Sequence, residues 1–226
     1  MVSPGKLIAA GRDSNIYECG QGRVLRRSRN GRSQTNEART MRFVRAQGYP
    51  APEVISVSDD GIDMVMARVD GPTMIDAASA RPWKLRQFGR QLAELQRTLH
   101  LLEAPEWLPD APCGSGTSLL HMDFHPLNVM LSSDGPIVLD WTRASRGDPL
   151  VDVAATWVLL ASGEVVHSRL QALIVRAGRS ALLNAYLKSF SDSDVESVLR
   201  DVVEWKSQDS NMTASEIARM RELIQR

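Results

Sequence analysis

The sequence predicts an α+β fold, with a sheet-rich N-terminal lobe containing one helix and a mainly helical C-terminal lobe. Two observations lead to this prediction. Up to about residue 67, short apolar runs alternate with glycine-containing turns, which is typical of antiparallel strands. Beyond about residue 72, apolar residues recur every three or four positions, as in amphipathic helices. We therefore expect residues 1–70 to form the sheet-rich lobe and residues 71–226 the helical lobe.

The composition excludes several classes of protein. The 226 residues include 27 Lys and Arg and 27 Asp and Glu, whereas a general nucleic-acid binder carries an excess of basic residues. Cys19 and Cys113 lie too far apart to suggest a zinc site or a disulfide framework. The N-terminus has no signal-peptide pattern, and the longest apolar segment, 153–161, is about half the length that a membrane span needs. We expect a cytoplasmic protein without nucleic-acid or membrane partners.

The first lobe begins with three predicted strands, at residues 7–10, 15–19 and 23–27. Tight turns join them, so they should form an antiparallel meander. In the first turn, Gly11 and Ser14 would let backbone N–H groups approach an anion closely. This turn is either a loop that covers phosphate groups or an ordinary hairpin turn.

A helix predicted at residues 33–47 follows, with Glu37, Met41 and Val44 on one face. A carboxylate on a packed face needs a cationic partner, and Arg26 on the preceding strand is the natural candidate. The alternative is that Glu37 is an ordinary solvated charge. Two further strands, at 54–58 and 62–67, would form a hairpin and complete the five strands of this lobe.

The second lobe begins with a helix predicted at residues 82–102, and His100 near its end is interpreted as a capping or surface residue. Pro149 suits the first turn of a helix that Asp148 would cap and that would end near residue 161. Further helices are predicted at 165–177 and 180–190. Two Ser/Thr-x-x-Glu patterns, at Ser193 and Thr213, predict capping boxes at the starts of the last two helices.

The polar stretch between Leu119 and Leu131 is the main candidate for the chemistry of the protein. Apolar runs at 119–120, 129–131 and 136–139 predict a small buried sheet. Such a sheet would present Asp123, Asn128 and Asp140 at neighbouring strand ends. A carboxylate that takes a proton, with an amide and a second carboxylate that hold magnesium, is what phosphoryl transfer requires. We expect these three residues to converge around a divalent ion in a cleft between the two lobes.

A metallohydrolase is an alternative interpretation of the same stretch. His121, Asp123 and His125 are residue types that bind zinc or iron. Such sites need further ligands, and the other two histidines, His100 and His167, both lie in predicted helices. This interpretation also leaves the spacing of Asn128 and Asp140 unexplained.

The motif His121-x-Asp123-x-x-x-x-Asn128, the strand ending in Asp140-Trp141 and the segment 147–152 resemble the aminoglycoside phosphotransferase and choline kinase-like family. That family has a protein-kinase-like fold. The resemblance covers nearly the whole chain: residues 11–17 resemble its nucleotide loop, and residues 48–54 and 66–71 resemble segments before and at its interlobe hinge. It implies a bilobal fold and the transfer of the γ-phosphate of ATP or GTP to a hydroxyl group of a small molecule.

The resemblance also implies roles for individual residues. Asp123 would be the catalytic base, His121 would orient its loop, and Asn128 and Asp140 would hold Mg²⁺. Asp148 and Asp152 would brace the catalytic loop or cap a helix. His125 would either line the acceptor side or brace the loop. The positions implied for nucleotide binding are Gly11, Ser14, Arg26, Glu37, Met66 and Arg68.

One position departs from the family pattern. The family has a lysine on its third strand that binds the α- and β-phosphates, and this chain has Arg26. Arginine keeps the charge but has a larger, planar head, so we expect nucleotide binding with altered geometry and a slower chemical step. A nucleotide-binding pseudokinase without turnover is the alternative.

The acceptor stays open between an aminoglycoside-like antibiotic and a small hydroxylated metabolite. A site for a polycationic antibiotic should contain several carboxylates besides the catalytic one. The helical lobe does contain many acidic residues, but arginines are interleaved with them. No acidic pocket can therefore be inferred from the sequence.

Overall fold

The computed structural model describes residues 3–11, 13–20, 22–163 and 169–225, without the side chains of 169–177. The chain divides into two compact units. The first contains the chain up to residue 72 together with residues 129–142, and the second contains residues 73–128 and 143 onward. The lobe boundaries at 1–70 and 71–226 stay a prediction.

The first unit contains a five-stranded antiparallel sheet with the order β1-β2-β3-β5-β4. The first three strands form the predicted meander, and β5 lies between β3 and β4. The strands are β1 (Leu7–Ala10), β2 (Ser14–Glu18), β3 (Arg23–Ser28), β4 (Val54–Val57) and β5 (Asp63–Ala67).

Helix α1 (Thr35–Ala46) lies between β3 and β4 in the chain and buries one face, which includes Glu37, Met41 and Val44. The predicted helical stripe is therefore confirmed. A separate apolar cluster, built from Cys19, Leu25 and Val65, packs within the sheet. Since Leu25 and Arg26 are adjacent on β3, their side chains point to opposite faces of the sheet.

The first unit also contains a hairpin of β7 (Val129–Ser132) and β8 (Gly135–Val138). Two backbone hydrogen bonds attach it to the rest of the unit, from Val138 N–H to the Pro50 carbonyl and from Leu131 N–H to the Pro72 carbonyl, both at 2.9 Å. Gly71 has φ 143°, and a Cβ there would lie 2.2 Å from the Leu131 carbonyl oxygen. Only glycine fits this close approach of two backbones.

The prediction of one small sheet in the central stretch is wrong. Strand β6 (Ser118–Leu120) pairs with β9 (Ser145–Gly147), whereas β7 and β8 pair only with each other. The polar loop after β6 contains a left-handed residue, Met122, and a 3₁₀ turn at Pro126–Asn128, so the chain changes direction before β7 begins. The segment that forms β9 has no apolar run, so the sequence pattern does not indicate a strand there.

The second unit is mainly helical. Helix α3 packs along α5, and α4 contacts α5, α6 and α7. The helices are α2 (Met74–Ala80), α3 (Leu85–His100), α4 (Pro149–Ser162), α5 (Arg169–Lys188), α6 (Leu199–Ser207) and α7 (Ala214–Leu223). Helix α2 was not predicted, because its two turns are too short to show a clear apolar periodicity. The predicted helix at 82–102 is shorter, since Pro82–Lys84 form a 3₁₀ turn.

Two predictions about the later helices are wrong. The separate helices at 165–177 and 180–190 are one continuous helix from Arg169, and the predicted start at 165–168 lies outside the described residues. Gly178 lies inside this helix, where a glycine costs only about 1 kcal/mol relative to alanine. No capping box forms at Ser193, because a 3₁₀ turn without a side-chain cap precedes α6.

The other predicted caps are confirmed. Asp148 caps α4, with its carboxylate accepting a 2.8 Å hydrogen bond from Leu150 N–H. Thr213 and Glu216 form a reciprocal capping box at the start of α7. No helix in the described ranges is long and apolar enough to cross a membrane.

Candidate active site

The loop after β6 is built on buried side chains. His121, Met122 and Phe124 are completely buried, and the rings of His121 and Phe124 meet edge to face with centroids 5.3 Å apart. Met122 has a φ of 62°, a left-handed conformation that costs energy for a residue with a side chain. Asp123, His125 and Asn128 lie between and after these packed residues and stay partly exposed. The loop therefore holds its polar residues on a rigid base.

Asp152, in the first turn of α4, braces this loop. Its carboxylate accepts hydrogen bonds from the backbone N–H groups of Met122 at 2.7 Å and His121 at 3.1 Å. His100 Nε2 lies 2.9 Å from the same carboxylate. Burial acts to raise the pKa of Asp152, but the interaction with His100, together with Gln96 and His121, outweighs burial and the pKa is lowered. Asp152 is thus an ionised, fully bonded anchor, as predicted.

His100 is not the capping or surface residue that the sequence suggested. Its side chain is only 7% exposed and is paired with Asp152. The sequence suggested no partner for it because Asp152 is 52 residues away in the chain.

The Asp123 side chain lies among polar groups of its own loop. Asn128 Nδ2 lies 2.9 Å from the Asp123 backbone carbonyl and 3.3 Å from Oδ2, and His125 Nε2 lies 3.7 Å from Oδ2. The backbone N–H of Asp123 donates to His121 Nδ1 at 3.3 Å. Burial acts to raise the pKa of Asp123, but His125, Lys206 and His121 together hold it well below the usual range. Asp123 is therefore an ionised carboxylate, and Asn128 is its hydrogen-bond partner in the loop.

Lys206 is a partner of Asp123 that sequence reasoning missed. It lies on α6 with its side chain 2% exposed, and its Nζ is 3.4 Å from Asp123 Oδ1. The same nitrogen is 3.4 Å from Asp209 Oδ2, which Arg143 binds at 2.6 Å. One signal was present in the sequence: Lys206 shares the apolar stripe of Val202 and Val203, and a cation on such a stripe needs an anionic partner.

The first unit holds a second polar cluster, centred on Arg26. The guanidinium forms an ion pair with Glu37, donates to Ser14 Oγ at 2.8 Å and lies 3.5 Å from Asp140 Oδ1. Burial acts to lower the pKa of Arg26, but the carboxylates of Glu37 and Asp140 outweigh it and the pKa is raised. The predicted pairing of Arg26 with Glu37 is confirmed, and both side chains are buried.

Asp140 follows β8 and completes this cluster. It has a φ of 58°, and its carboxylate accepts a 2.7 Å hydrogen bond from the Thr142 hydroxyl. Glu37 accepts from the Trp141 backbone N–H at 3.2 Å, and the Thr142 hydroxyl oxygen lies 3.0 Å from its carboxylate. The turn after β8 is thus bound to helix α1, while the Asp140 side chain remains 42% exposed. Thr142 was not predicted to take part.

Comparisons with known proteins identify the chain. The model of the APH family, described as "Phosphotransferase enzyme family", matches residues 4–112 and 99–189, most of the chain. The chain belongs to this phosphotransferase enzyme family. It is a small-molecule kinase, and the predicted family resemblance is confirmed. None of the curated proteins matches the chain.

Solved structures of low sequence identity show the fold of this family member. A choline/ethanolamine kinase family protein from Mesorhizobium loti has a TM-score of 0.64 at 16% identity, over 99% of this chain and 89% of that one. APH(2'')-IIa, in a complex with streptomycin and ATP, has a TM-score of 0.64 at 14% identity, over 100% and 92%. A type VIII aminoglycoside-3'-phosphotransferase has a TM-score of 0.56 at 19% identity, over 99% and 91%. The predicted α+β, protein-kinase-like fold is confirmed.

The remaining predicted nucleotide residues of this phosphotransferase lie outside the Arg26 cluster. Gly11 is in the β1–β2 turn, where its N–H donates to the Ser14 carbonyl at 2.8 Å. Met66 is on β5, opposite Val24 of β3. Arg68 follows β5, and its guanidinium donates to Asp70 at 2.7 Å. Their roles in binding nucleotide stay predictions.

The structure therefore brings the predicted site residues together in two sets. Asp123 and Asn128 are hydrogen-bonded in the second unit, and Arg26, Glu37 and Asp140 are clustered in the first. The described residues contain no group of three or more His, Cys, Asp or Glu side chains arranged to hold a metal ion. His121 Nδ1 already accepts a backbone hydrogen bond, which argues against the metallohydrolase interpretation.

Proposed function

We propose that this phosphotransferase moves the γ-phosphate of ATP, or of GTP, to a hydroxyl group of a small molecule with the help of Mg²⁺. One observation carries the proposal above all: Asp123 is an ionised carboxylate that Asn128 binds and that lies beside His125 and Lys206, on a loop that Asp152 braces. A positioned carboxylate of this kind is what phosphoryl transfer requires of the acceptor side. The predicted cytoplasmic location would supply the nucleotide and the metal.

Asp123 would act mainly by orienting the acceptor. Because its pKa is held low, the carboxylate is a weak base and would not remove a proton from a free alcohol. It would accept a hydrogen bond from the hydroxyl group, point the oxygen at the phosphorus atom, and take the proton as the new P–O bond forms. His121 would keep Asp123 in place through the hydrogen bond from the Asp123 backbone.

Arg26 would hold the phosphate groups of the nucleotide. It is charged and buried, and its position is fixed by Glu37 and Ser14. The arginine therefore keeps the positive charge of the family's strand lysine, and here that charge is paired with Glu37 of α1. Gly11 and Ser14 would cover the phosphates, and Met66 and Arg68 would flank the nucleobase.

The donor atoms of Asn128 and Asp140 suit a magnesium ion. The Asn128 amide nitrogen is directed at Asp123, and its carbonyl oxygen has no hydrogen-bond partner among the described residues. The Asp140 carboxylate is partly exposed. Magnesium prefers such oxygen ligands and takes the rest of its shell from phosphate and water. When bound, it would neutralise charge on the phosphates.

The proposal is tested by ATP consumption in the presence of a panel of acceptors. The solved relatives suggest aminoglycosides and choline-like amines, to which homoserine and sugars should be added. We expect magnesium-dependent consumption with at least one acceptor and recovery of a phosphate ester. Nucleotide binding without consumption for any acceptor would instead support the pseudokinase alternative.

A further inference from the structure

Lys206 is a buried cation that is bound only loosely. Its Nζ lies 3.4 Å from Asp123 Oδ1 and 3.4 Å from Asp209 Oδ2. Close hydrogen bonds between ammonium and carboxylate groups are about 2.7–2.9 Å long. Neither carboxylate therefore binds this ammonium group tightly.

The Lys206 ammonium group can donate one further hydrogen bond. It carries three N–H bonds, and two carboxylates account for its hydrogen-bond partners in the part of the chain that the structure describes. Asp209 is bound more closely by Arg143, at 2.6 Å. An oxygen atom of a ligand beside Asp123 could accept the third hydrogen.

The charges around Asp123 also disfavour a cationic acceptor. Asp123 already contacts one cation, Lys206. Asp209 already contacts two cations, Lys206 and Arg143. A polycation needs carboxylates that are free to pair with its ammonium groups. An ammonium group next to the reacting hydroxyl would instead meet the like charge of Lys206.

We infer that Lys206 determines the acceptor class: the hydroxyl that is phosphorylated belongs to a molecule with an anionic or neutral neighbouring group, the anionic group being preferred. This inference rests on the proposed function, because it requires Asp123 to receive the acceptor hydroxyl. With that hydroxyl on Asp123, a carboxylate or phosphate on the adjacent carbon could accept the spare hydrogen bond of Lys206. Aminoglycosides and amino alcohols would then be poor acceptors.

Three small probes of matched size test this inference. Glycerate, glycerol and 3-aminopropane-1,2-diol have the same carbon chain length and differ in charge. Their affinities can be measured by NMR titration of the protein with Mg²⁺ and a non-hydrolysable ATP analogue, so that turnover is not needed. We expect glycerate to bind most tightly and the amino diol most weakly, with about a tenfold difference between them.

Variants show whether Lys206 causes the ranking. In Lys206→Gln, the difference between glycerate and the amino diol should fall to about threefold or less, and in Lys206→Arg it should largely return. Arg200→Gln is the matched control, because Arg200 is an exposed cation on the same helix. The affinity ranking of the three probes for Arg200→Gln should match that for the unsubstituted protein. Thermal melting should confirm that all variants are folded.

The outcomes separate this inference from the proposed function. Tightest binding of the amino diol, a ranking that Lys206→Gln leaves unchanged, or no binding of any probe would overturn the inference. ATP consumption with a cationic acceptor would also overturn it, while supporting the proposed function. The expected ranking without ATP consumption by any acceptor would support the assignment of Lys206 and count against the proposed function.

Discussion

The carboxylate of Asp152 accepts a 2.7 Å hydrogen bond from the backbone N–H of Met122, a residue held in a left-handed conformation. The same carboxylate binds His121 N–H and His100. The first turn of α4 thus determines the path of the backbone immediately before Asp123. Asp152 should therefore influence stability and catalysis through the backbone that it holds, unlike the other carboxylates of the site.

We expect Asp152→Ala to lower the free energy of unfolding by about 3–5 kcal/mol, because it leaves His100 and two backbone N–H groups buried without a partner. Urea denaturation followed by circular dichroism measures the loss. Glu204→Gln, at an exposed position of α6, is the control and should change stability little. A loss for Asp152→Ala no larger than that of the control would contradict the bracing role.

The dependence of stability on pH should also report on Asp152. Its pKa is lower in the folded protein than in the unfolded chain, so its contribution to stability is complete above about pH 4. The contribution is lost as the pH falls from there towards the folded pKa. In Asp152→Asn, denaturation curves between about pH 5 and 2 should show a shallower fall in stability. Equal slopes for the two proteins would argue against an ionised Asp152.

Replacing Asp123 with asparagine should abolish transfer while leaving nucleotide affinity nearly unchanged. The amide keeps the shape of the side chain but cannot take the proton, and general-base groups typically contribute a factor of about 10²–10⁴ to the rate. Single-turnover assays give the rate, and calorimetric titration with an ATP analogue gives the affinity. Asp110→Asn, a change outside the two clusters described, should behave like the original protein. Retained turnover in Asp123→Asn would exclude Asp123 as the base.

Removing one charge of the Arg26–Glu37 ion pair should lower the stability of the protein more than removing both charges. Arg26→Met leaves the buried Glu37 carboxylate without its cation, which should cost about 3–5 kcal/mol of stability. Adding Glu37→Gln should recover much of that stability, but not nucleotide affinity, because no cation remains for the phosphates. Denaturation curves and nucleotide titrations of the two single variants and the double variant measure both effects. Additive losses of stability would show that the two residues act independently.

The Asp140 carboxylate should determine how much magnesium the reaction needs. In Asp140→Asn we expect the Mg²⁺ concentration for half-maximal transfer to rise by about tenfold or more, because a charged oxygen ligand becomes neutral. Chelation with EDTA should stop the reaction in both proteins. Asp134→Asn, on the exposed β7–β8 turn, is the control. An unchanged magnesium requirement in Asp140→Asn would remove Asp140 from the proposed metal site.

Much of this protein could be predicted from short-range patterns. The five strands of the first unit, the buried face of α1, and the caps at Asp148 and Thr213 depend on residues a few positions apart, and the structure confirms them. The pairing of Arg26 with Glu37 could be predicted because the two residues lie on consecutive elements and a carboxylate on an apolar face needs a cation. The motif around Asp123 likewise identified the family before any geometry was known.

Relationships between distant segments could not be predicted in this way. Nothing local indicates that β6 pairs with β9 rather than with β7 and β8, or that His100 binds Asp152 across 52 residues. The continuity of α5 through Gly178 was missed for a similar reason, since packing against α3 offsets a weak local preference. Lys206 contacts Asp123 across 83 residues, and only the buried cation on α6 hinted that a partner existed.

The sequence by itself therefore determined the secondary structure of the first lobe and the family, and it supplied the candidate site residues, because these depend on local periodicity and on a motif within one stretch. The tertiary structure decided which groups surround Asp123 and how they are charged. Those contacts form only when helices and strands far apart in the chain pack together, so their electrostatic effect on Asp123 becomes visible only in the folded protein.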